Sequence, residues 1–403
     1  MEAATIDTAA QSTNDKLGLG LKDGEAARVT QIASAARIGA ASDQWYKRPD
    51  DERYTSLSDL REFVAARRAR SRDNVTAILE NMAVKVDGDG KGLVIYDEKK
   101  QGPGARLTNW SFGQLSQRAG TPVQWLRKLG AEGMAELVAL NINAGLSRSA
   151  REDAKLLLLS DPQDGSSTPT QLRAMTGPNY GRIWDVELVD SIMNQIGPEW
   201  KIPAASYATL DPKRASTLYA SDRDVFIFLV DDSHPIEVPN EPGHLMHRGF
   251  YAWNSETSAG SLGLATFLYD RVCDNRNIWG VKEFSELRIR HSAGAPQRFV
   301  EQAQPALKKY LESSTTATVE VIERAQRFDL GKDIAAVKAK LADRGFTKGQ
   351  IVGALEYAES VPGNPHSIWN IEQGLTAVAR DISHADARVD LEEKSGKLMS
   401  LIA

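Results

Sequence analysis

The stretch DVFIFLVDD, residues 224–232, sets six consecutive apolar residues between carboxylates. Five of the six are aromatic or β-branched, and a short run of that kind bounded by polar turns favours a strand. It is the longest strongly apolar run in the 403 residues. It falls far short of the roughly 20 residues a membrane helix needs, so no membrane partner is expected. WKIPAASYATL, ASTLYASD and GHLMHRGFYAWN read as further strands separated by Asp, Pro and Gly turns, which predicts an antiparallel meander between 200 and 254. WDVELVDSIMNQIG before it has helical spacing. Residues 257–273 carry Ala259, Gly260, Gly263 and Ala265, small residues that predict a helix lying close on the sheet.

The remaining chain is mostly helical in pattern. Residues 56–72 predict an Arg-rich helix with Ser58 as N-cap, and MAVKVDGDGKGLVIYD at 82–97 predicts a hairpin around an Asp/Gly turn. Helices are expected over 295–313, 315–326, 331–344, 347–360 and 367–399. Residues 1 to about 40, rich in Ala, Ser, Thr and Asp, show no sustained apolar period and are expected to be poorly ordered. The fold class is therefore α+β, a central antiparallel β-sheet flanked by helices with a helical C-terminal region. A chain of this length exceeds one hydrophobic core. We divide it into 1–55, 56–150, 151–310 and 311–403. The acidic, polar N-terminus does not read as a secretory leader, which places the chain in the cytoplasm.

Familiar catalytic motifs are absent: there is no GxxxxGK[ST], GxGxxG after a strand, HExxH or GxSxG, and no cofactor is expected. The single cysteine, Cys273, lies late in an apolar segment and reads as a packing residue. His244 and His247 fall on opposite faces of a predicted strand, unsuited to a shared metal. Asp222, Asp224, Asp231, Asp232 and His234 are the residues a metal-dependent nuclease or hydrolase would use. In VDDSHPIEV, however, Asp232, Ser233 and Pro235 suit a simple turn. FGQLSQRAGTPVQWLRKL, 112–129, has helix-turn-helix spacing, with Ser111 as cap, Gly120 at the turn, and Gln124, Arg127 and Lys128 on the second helix. Any compact αα-hairpin has the same pattern.

The net charge of −5 argues against a uniformly basic coat for nucleic acid. Charge is nevertheless segregated. Residues 61–72 set five arginines against one glutamate, and 271–298 set six lysines and arginines against three acids. Cations also alternate with aromatics, the recurring design of surfaces that bind unpaired strands. On that basis Arg182, Lys213, Arg214, Arg271, Arg276, Arg288 and Arg290 are the candidate phosphate contacts, with Tyr219 and Trp279 as stacking platforms. Trp184, at helical spacing, suits packing instead.

LTNWSFGQLSQRAGTPVQWL, LRAMTGPNYGRIWDVELVD, RGFYAWNSETSAGSLGLATFLYDRVCDNRNIWG and ELRIRHSAGAPQRF occur in an order that resembles the phage- and plasmid-borne domain-of-unknown-function 932 family, over about residues 105–310. The resemblance implies a context of mobile DNA and no established activity. This chain has CDNRN where members often have Asn-Gly after the cysteine. A helix ending in Gly197, Pro198 and Trp200 before antiparallel strands is also similar in order to the β-β-β-α core of single-strand annealing proteins, over some 80 residues. The combined reading is a non-enzymatic protein that binds single-stranded DNA during phage or plasmid recombination, as a homo-oligomer in the bacterial host cytoplasm. The alternatives are an oligomeric structural or host-takeover protein and the metal-dependent nuclease.

Overall fold

A computed structural model describes residues 50–88, 92–100, 104–149, 153–160, 169–203, 216–270, 276–277, 286–380, 391 and 394–402. The first half contains β1 (Arg53–Tyr54), α1 (Leu57–Ala69), β2 (Ser71–Ile78), β3 (Met82–Val86), β4 (Leu93–Asp97) and β5 (Ala105–Leu107). Three helices follow, α2 (Asn109–Arg118), α3 (Val123–Ala131) and α4 (Ala135–Leu146), then β6 (Asp153–Ser160), β7 (Pro169–Thr176) and α5 (Asp185–Met193). Eight strands come next: β8 (Trp200–Lys201), β9 (Leu218–Ala220), β10 (Val225–Asp231), β11 (Ile236–Glu237), β12 (Leu245–Asn254), β13 (Leu262–Asp270), β14 (Arg276–Asn277) and β15 (Glu286–Ile289). A helical run 295–312 comprises α6 (Ala295–Arg298), a π-helical stretch Phe299–Ala303 and α7 (Gln304–Glu312). The C-terminal helices are α8 (Thr316–Arg327), α9 (Ile334–Asp343), α10 (Lys348–Ser360) and α11 (Ile368–Arg380). Among the described residues no helix is long and apolar enough to cross a membrane.

The protein is α+β, with two sheets. The larger is antiparallel, ordered β1-β9-β10-β12-β13-β14, with β8, β11 and β15 pairing to β10, β12 and β13. The predicted meander is its centre: Phe226 pairs Trp253 and Phe228 pairs Tyr251. All seven residues of β10 are buried, so the run that opens the sequence reading is a central strand covered on both faces. Leu218, Val225, Ile227, Leu229, Phe250 and Leu264 pack beneath α1, α5 and the run 295–312. Their alternates, Tyr219, Phe226, Phe228, Tyr251, Trp253, Phe267 and Tyr269, form an aromatic layer on the other face.

Within the predicted helix at 257–273, residues 262–270 are instead β13, paired residue by residue with β12, and 271–273 lie outside the described residues. The small residues of β13 serve close packing, but against neighbouring rings. A Cβ at Gly263 would lie 2.0 Å from the Trp253 ring, and one at Gly249 2.5 Å from the Phe267 ring. Each aromatic thus lies over a glycine of the partner strand, and a helical reading mistakes that cross-strand complementarity for a smooth helix face.

The second sheet runs β2-β6-β7-β5-β4-β3, antiparallel except for the β5/β7 pair. The hairpin at 82–97 forms as expected, from Met82↔Asp97 to Val86↔Leu93. Helices α2, α3 and α4 close its core through Phe112, Leu115, Leu126, Val138 and Ile142. Because β2 pairs with β6, the sheet takes strands from both sides of residue 150, across the boundary drawn from the sequence. Ser56, two residues before the expected Ser58, caps α1 by accepting from the Asp59 N–H at 3.1 Å. The C-terminal helices share a core of their own with Ile236, Val238, Met246 and Leu268 of the large sheet.

Candidate functional site

Helix α2 begins with a capping box in which the Thr108 and Ser111 side chains exchange hydrogen bonds with each other's backbone N–H; Ser111 is the third residue of the box rather than the cap. Gly120, at φ 65°, supplies the expected tight turn. Helix α3 then leaves from Pro122, and both helices, with the end of β7, line a cleft of about 580 Å³. Positions 110, 114, 117 and 118 of α2 and 124 and 127 of α3 face it, the spacing that puts side chains on one side of a helix. Thr176, Gly177 and Ser258 complete the wall.

This geometry does not present α3 as a DNA-reading helix. Gln124 and Lys128 are exposed, but Arg127 is buried, its guanidinium donating to the Asn109 side chain and, at 3.0 Å, to the Asn109 carbonyl. It also lies over the Phe112 ring. Burial pulls its pKa down to about 10. The indole N–H of Trp110 donates to the Thr257 carbonyl at 2.9 Å, fixing the ring as a rigid part of the wall. Gln114 is held at both ends, donating to the same carbonyl at 2.8 Å and accepting from the Met175 N–H at 2.8 Å. Gln117 and Gln124 are exposed at the mouth. Among the described residues no carboxylate lines the cleft, although acids outnumber bases 54 to 49 in the chain.

The segment Asn254–Thr257, which starts with the last residue of β12, ties this wall to the interior. All four residues are at most 1% exposed. Glu256 accepts from Arg173 of β7 at 2.8 Å and from the Asp185 N–H at 3.0 Å, with the Arg67 Nε 3.8 Å away. Arg67 in turn bonds Asp185 at 2.7 Å, and Asn254 donates to the same carboxylate at 2.7 Å. Two guanidinium groups and two carboxylates therefore balance one another, joining α1, β7, α5 and the large sheet. Burial, and then Glu256, push the Asp185 carboxyl well above its ordinary range. Burial also works against Glu256, but Arg173 and Arg67 outweigh it and hold that carboxyl below the usual range.

Most sequence-predicted contacts lie elsewhere. Arg182 is buried over the Tyr180 and Trp184 rings, with its Nε 3.6 Å from Asp73, so it packs the interior instead of meeting solvent phosphate. Tyr219 is 0% exposed, edge-on to Phe228, and offers no face for a base to stack on. Arg288 of β15 and Arg290, just past its end, are exposed, and the Arg288 guanidinium lies over the Trp253 ring. Arg276 belongs to β14. Lys213, Arg214, Arg271, Trp279 and Cys273 lie outside the described residues, as do residues 1–40.

Four of the five arginines of 61–72 are used structurally. Arg61 pairs with Asp190 at 2.5 Å, Arg67 joins the buried charges, Arg68 covers Trp184, and Arg70 donates to the Ser160 carbonyl. The five groups of the nuclease reading do not converge: Asp222 and Asp224 precede β10, whereas Asp231, Asp232 and His234 lie at its far end, ~20 Å along the strand. Asp231 instead organises the local turn, accepting from the Ser233 and His234 N–H groups at 3.2 and 3.1 Å. His244 meets Glu241 and His247 the Asp231 carbonyl, so the two histidines have separate partners.

Sequence reasoning missed Trp110, Gln117 and Arg118 as a set. All three stand in LTNWSFGQLSQRAGTPVQWL, and helical spacing on the first helix of the hairpin, rather than the second, was the signal available. No family model matches the chain, and neither a curated protein nor a solved structure matches it.

Proposed function

We propose that this chain binds unpaired nucleic acid without catalysing a reaction on it, and that the cleft between α2 and α3 is where it does so. The observation that carries the reading is the lining of that cleft: a fixed indole, the cation Arg118, exposed amides at the mouth and, among the described residues, no carboxylate. A rigid aromatic wall offers stacking to any base, a guanidinium neutralises phosphate, and the absence of acids removes the repulsion that the chain's net charge otherwise imposes. The resemblance to a phage- and plasmid-borne family fits a role in handling mobile DNA inside a bacterial host. Fluorescence anisotropy with labelled single-stranded and duplex DNA tests it. The single strand binds more tightly, and Arg118→Ala weakens it roughly tenfold; equal binding by wild type and Arg118→Ala refutes the site.

A second reading, self-assembly, draws on one observation. Met134, the residue that precedes α4, and Leu137 and Leu140 of α4 follow each other at intervals of three and are 42, 39 and 64% exposed, with Trp125 of α3 at 45%. Leu140→Glu should shift the mass measured by light scattering toward the monomer if this stripe holds copies together. An unchanged mass removes the stripe from consideration.

A further inference from the structure

We infer that Arg127 is the anion-recognising residue of the cleft, and that a phosphate oxyanion entering there supplies the negative charge this guanidinium lacks; the source of that phosphate, a strand or a free ion, rests on the nucleic-acid reading above. Six arginines are buried among the described residues. Five of them have a carboxylate close by: Arg67 meets Asp185 at 2.7 Å, Arg173 meets Glu256 at 2.8 Å, Arg182 meets Asp73 at 3.6 Å, Arg223 meets Asp222 at 3.7 Å and Arg248 meets Asp231 at 3.9 Å. Arg127, 7% exposed, has no such partner among the described residues, and it is the one of the six that lines the cleft. A buried cation without a counter-charge is costly, and buried arginines are almost always paired. The exception marks a place where the counter-charge comes from outside the chain.

The surroundings of Arg127 raise its need for an anion. Its acceptors, the Asn109 side chain and carbonyl, are neutral and take only two of the guanidinium's five N–H groups. Among the described residues the other three have no acceptor. Asn109 is the first residue of α2, so the guanidinium sits at the positive end of that helix, where a cation is disfavoured and an anion welcome. Burial pulls the Arg127 pKa down to about 10, which still leaves the group charged at neutral pH. The approach is open as well. Gly113 of α2 also lines the cleft, and a Cβ there would lie 3.7 Å from Arg127 Nη2, so the backbone is bare beside the guanidinium. A planar guanidinium fork next to a helix N-terminus is a recurring setting for phosphate.

Thermal melting of the full chain at constant ionic strength, with chloride replaced by inorganic phosphate or by acetate, tests the assignment. Phosphate should raise the midpoint in a saturable way, and acetate should raise it less. Arg127→Gln removes the charge but keeps an amide donor, and should weaken phosphate binding at least ~tenfold; Arg127→Lys, which keeps the charge without the fork, should retain part of it. Lys128→Gln removes an exposed neighbouring cation that does not line the cleft and should leave the shift intact. The inference is overturned by wild-type protein that phosphate does not stabilise, by an equal shift with acetate, or by a full phosphate shift in Arg127→Gln. The first two results need no variant to fold. Labelled single-stranded DNA then separates the sources: displacement by phosphate, together with weaker binding to Arg127→Gln, identifies the strand as the donor of the oxyanion. Strand binding that neither phosphate nor Arg127→Gln alters overturns the inference and leaves the nucleic-acid reading standing. A phosphate shift without strand binding supports the site and removes the strand. Absence of both removes both.

Discussion

Replacing Glu256 with glutamine tests whether the buried charges hold the two sheets together. The substitution conserves volume and leaves one oxygen. That oxygen can serve Arg173 or the Asp185 N–H, now at 2.8 and 3.0 Å from the two carboxylate oxygens, but not both. Whichever loses is left facing an amide NH₂, and a buried donor without an acceptor costs ~1–3 kcal/mol, more if charged. The charge balance changes as well: Arg67 and Arg173 would share Asp185 alone, in a site where Glu256 and Asp185 are both 0% exposed. Breaking a buried pair by removing one partner costs ~3–5 kcal/mol, and that is the loss expected for Glu256→Gln. Urea denaturation followed by tryptophan fluorescence gives the value, with a falling midpoint at constant slope. The double variant Arg173→Met/Glu256→Leu removes one charge of each sign and leaves the Arg67–Asp185 pair intact, so it should be more stable than Glu256→Gln. A loss below ~1 kcal/mol in the single variant, or a double variant equal to the sum of its singles, refutes the argument.

Gly263→Ala should destabilise by at least ~1–3 kcal/mol, because its Cβ has no room beside Trp253; thermal melting measures this, and adding Trp253→Leu should restore part of the loss. His291 is buried, stacked on Tyr180 with its Nδ1 bonded to the Gly181 carbonyl and its Nε2 without a partner, and burial pulls its pKa down to about 4. The native state binds that proton more weakly than the unfolded chain, so stability is complete above pH ~6.5 and falls as pH drops toward 4, by about 3 kcal/mol in all. His291→Phe should flatten the urea midpoint between pH 4.5 and 6.5; an unchanged slope would locate the acid sensitivity elsewhere. Tyr219→Phe should leave strand affinity within twofold in the anisotropy assay, since its ring never reaches solvent.

The parts of the fold that were legible in the sequence are those where local pattern and final environment agree. VFIFLV is a strand because a covered sheet position accommodates those side chains, and the helices described between 295 and 380 follow from their apolar period, with Gly345 and PGNPH marking the breaks. Residues 257–273 misled because glycines and alanines are small in either conformation, and their purpose, receiving Trp253 and Phe267, depends on a partner strand that periodicity does not reveal. The candidate site was harder to read for a related reason. Alternating cations and aromatics describe an exposed surface and a buried stack equally well, and Arg182 with Trp184 belongs to the second kind. Arg67, Arg173 and Glu256 are separated by 83 to 189 positions and carry no local mark of their meeting.

The glycines under the aromatic rings settle a question that burial leaves open. β12 and β13 are apolar on both faces, so sliding one past the other by two residues returns every side chain to the face it came from, and burial alone does not reject the error. Shape does. The native pairing sets Trp253 on Gly263 and Phe267 on Gly249; a slip of two in one direction sets Phe267 against Tyr251, and in the other against His247. The Phe267 ring then opposes a bulky side chain, and Trp253 meets the Cβ of Ala265 or Ser261 in place of the bare Gly263. Two missing methyl groups therefore act as a key that admits a single alignment of the hairpin during folding, and with it the position at which Glu256 emerges to meet its arginines.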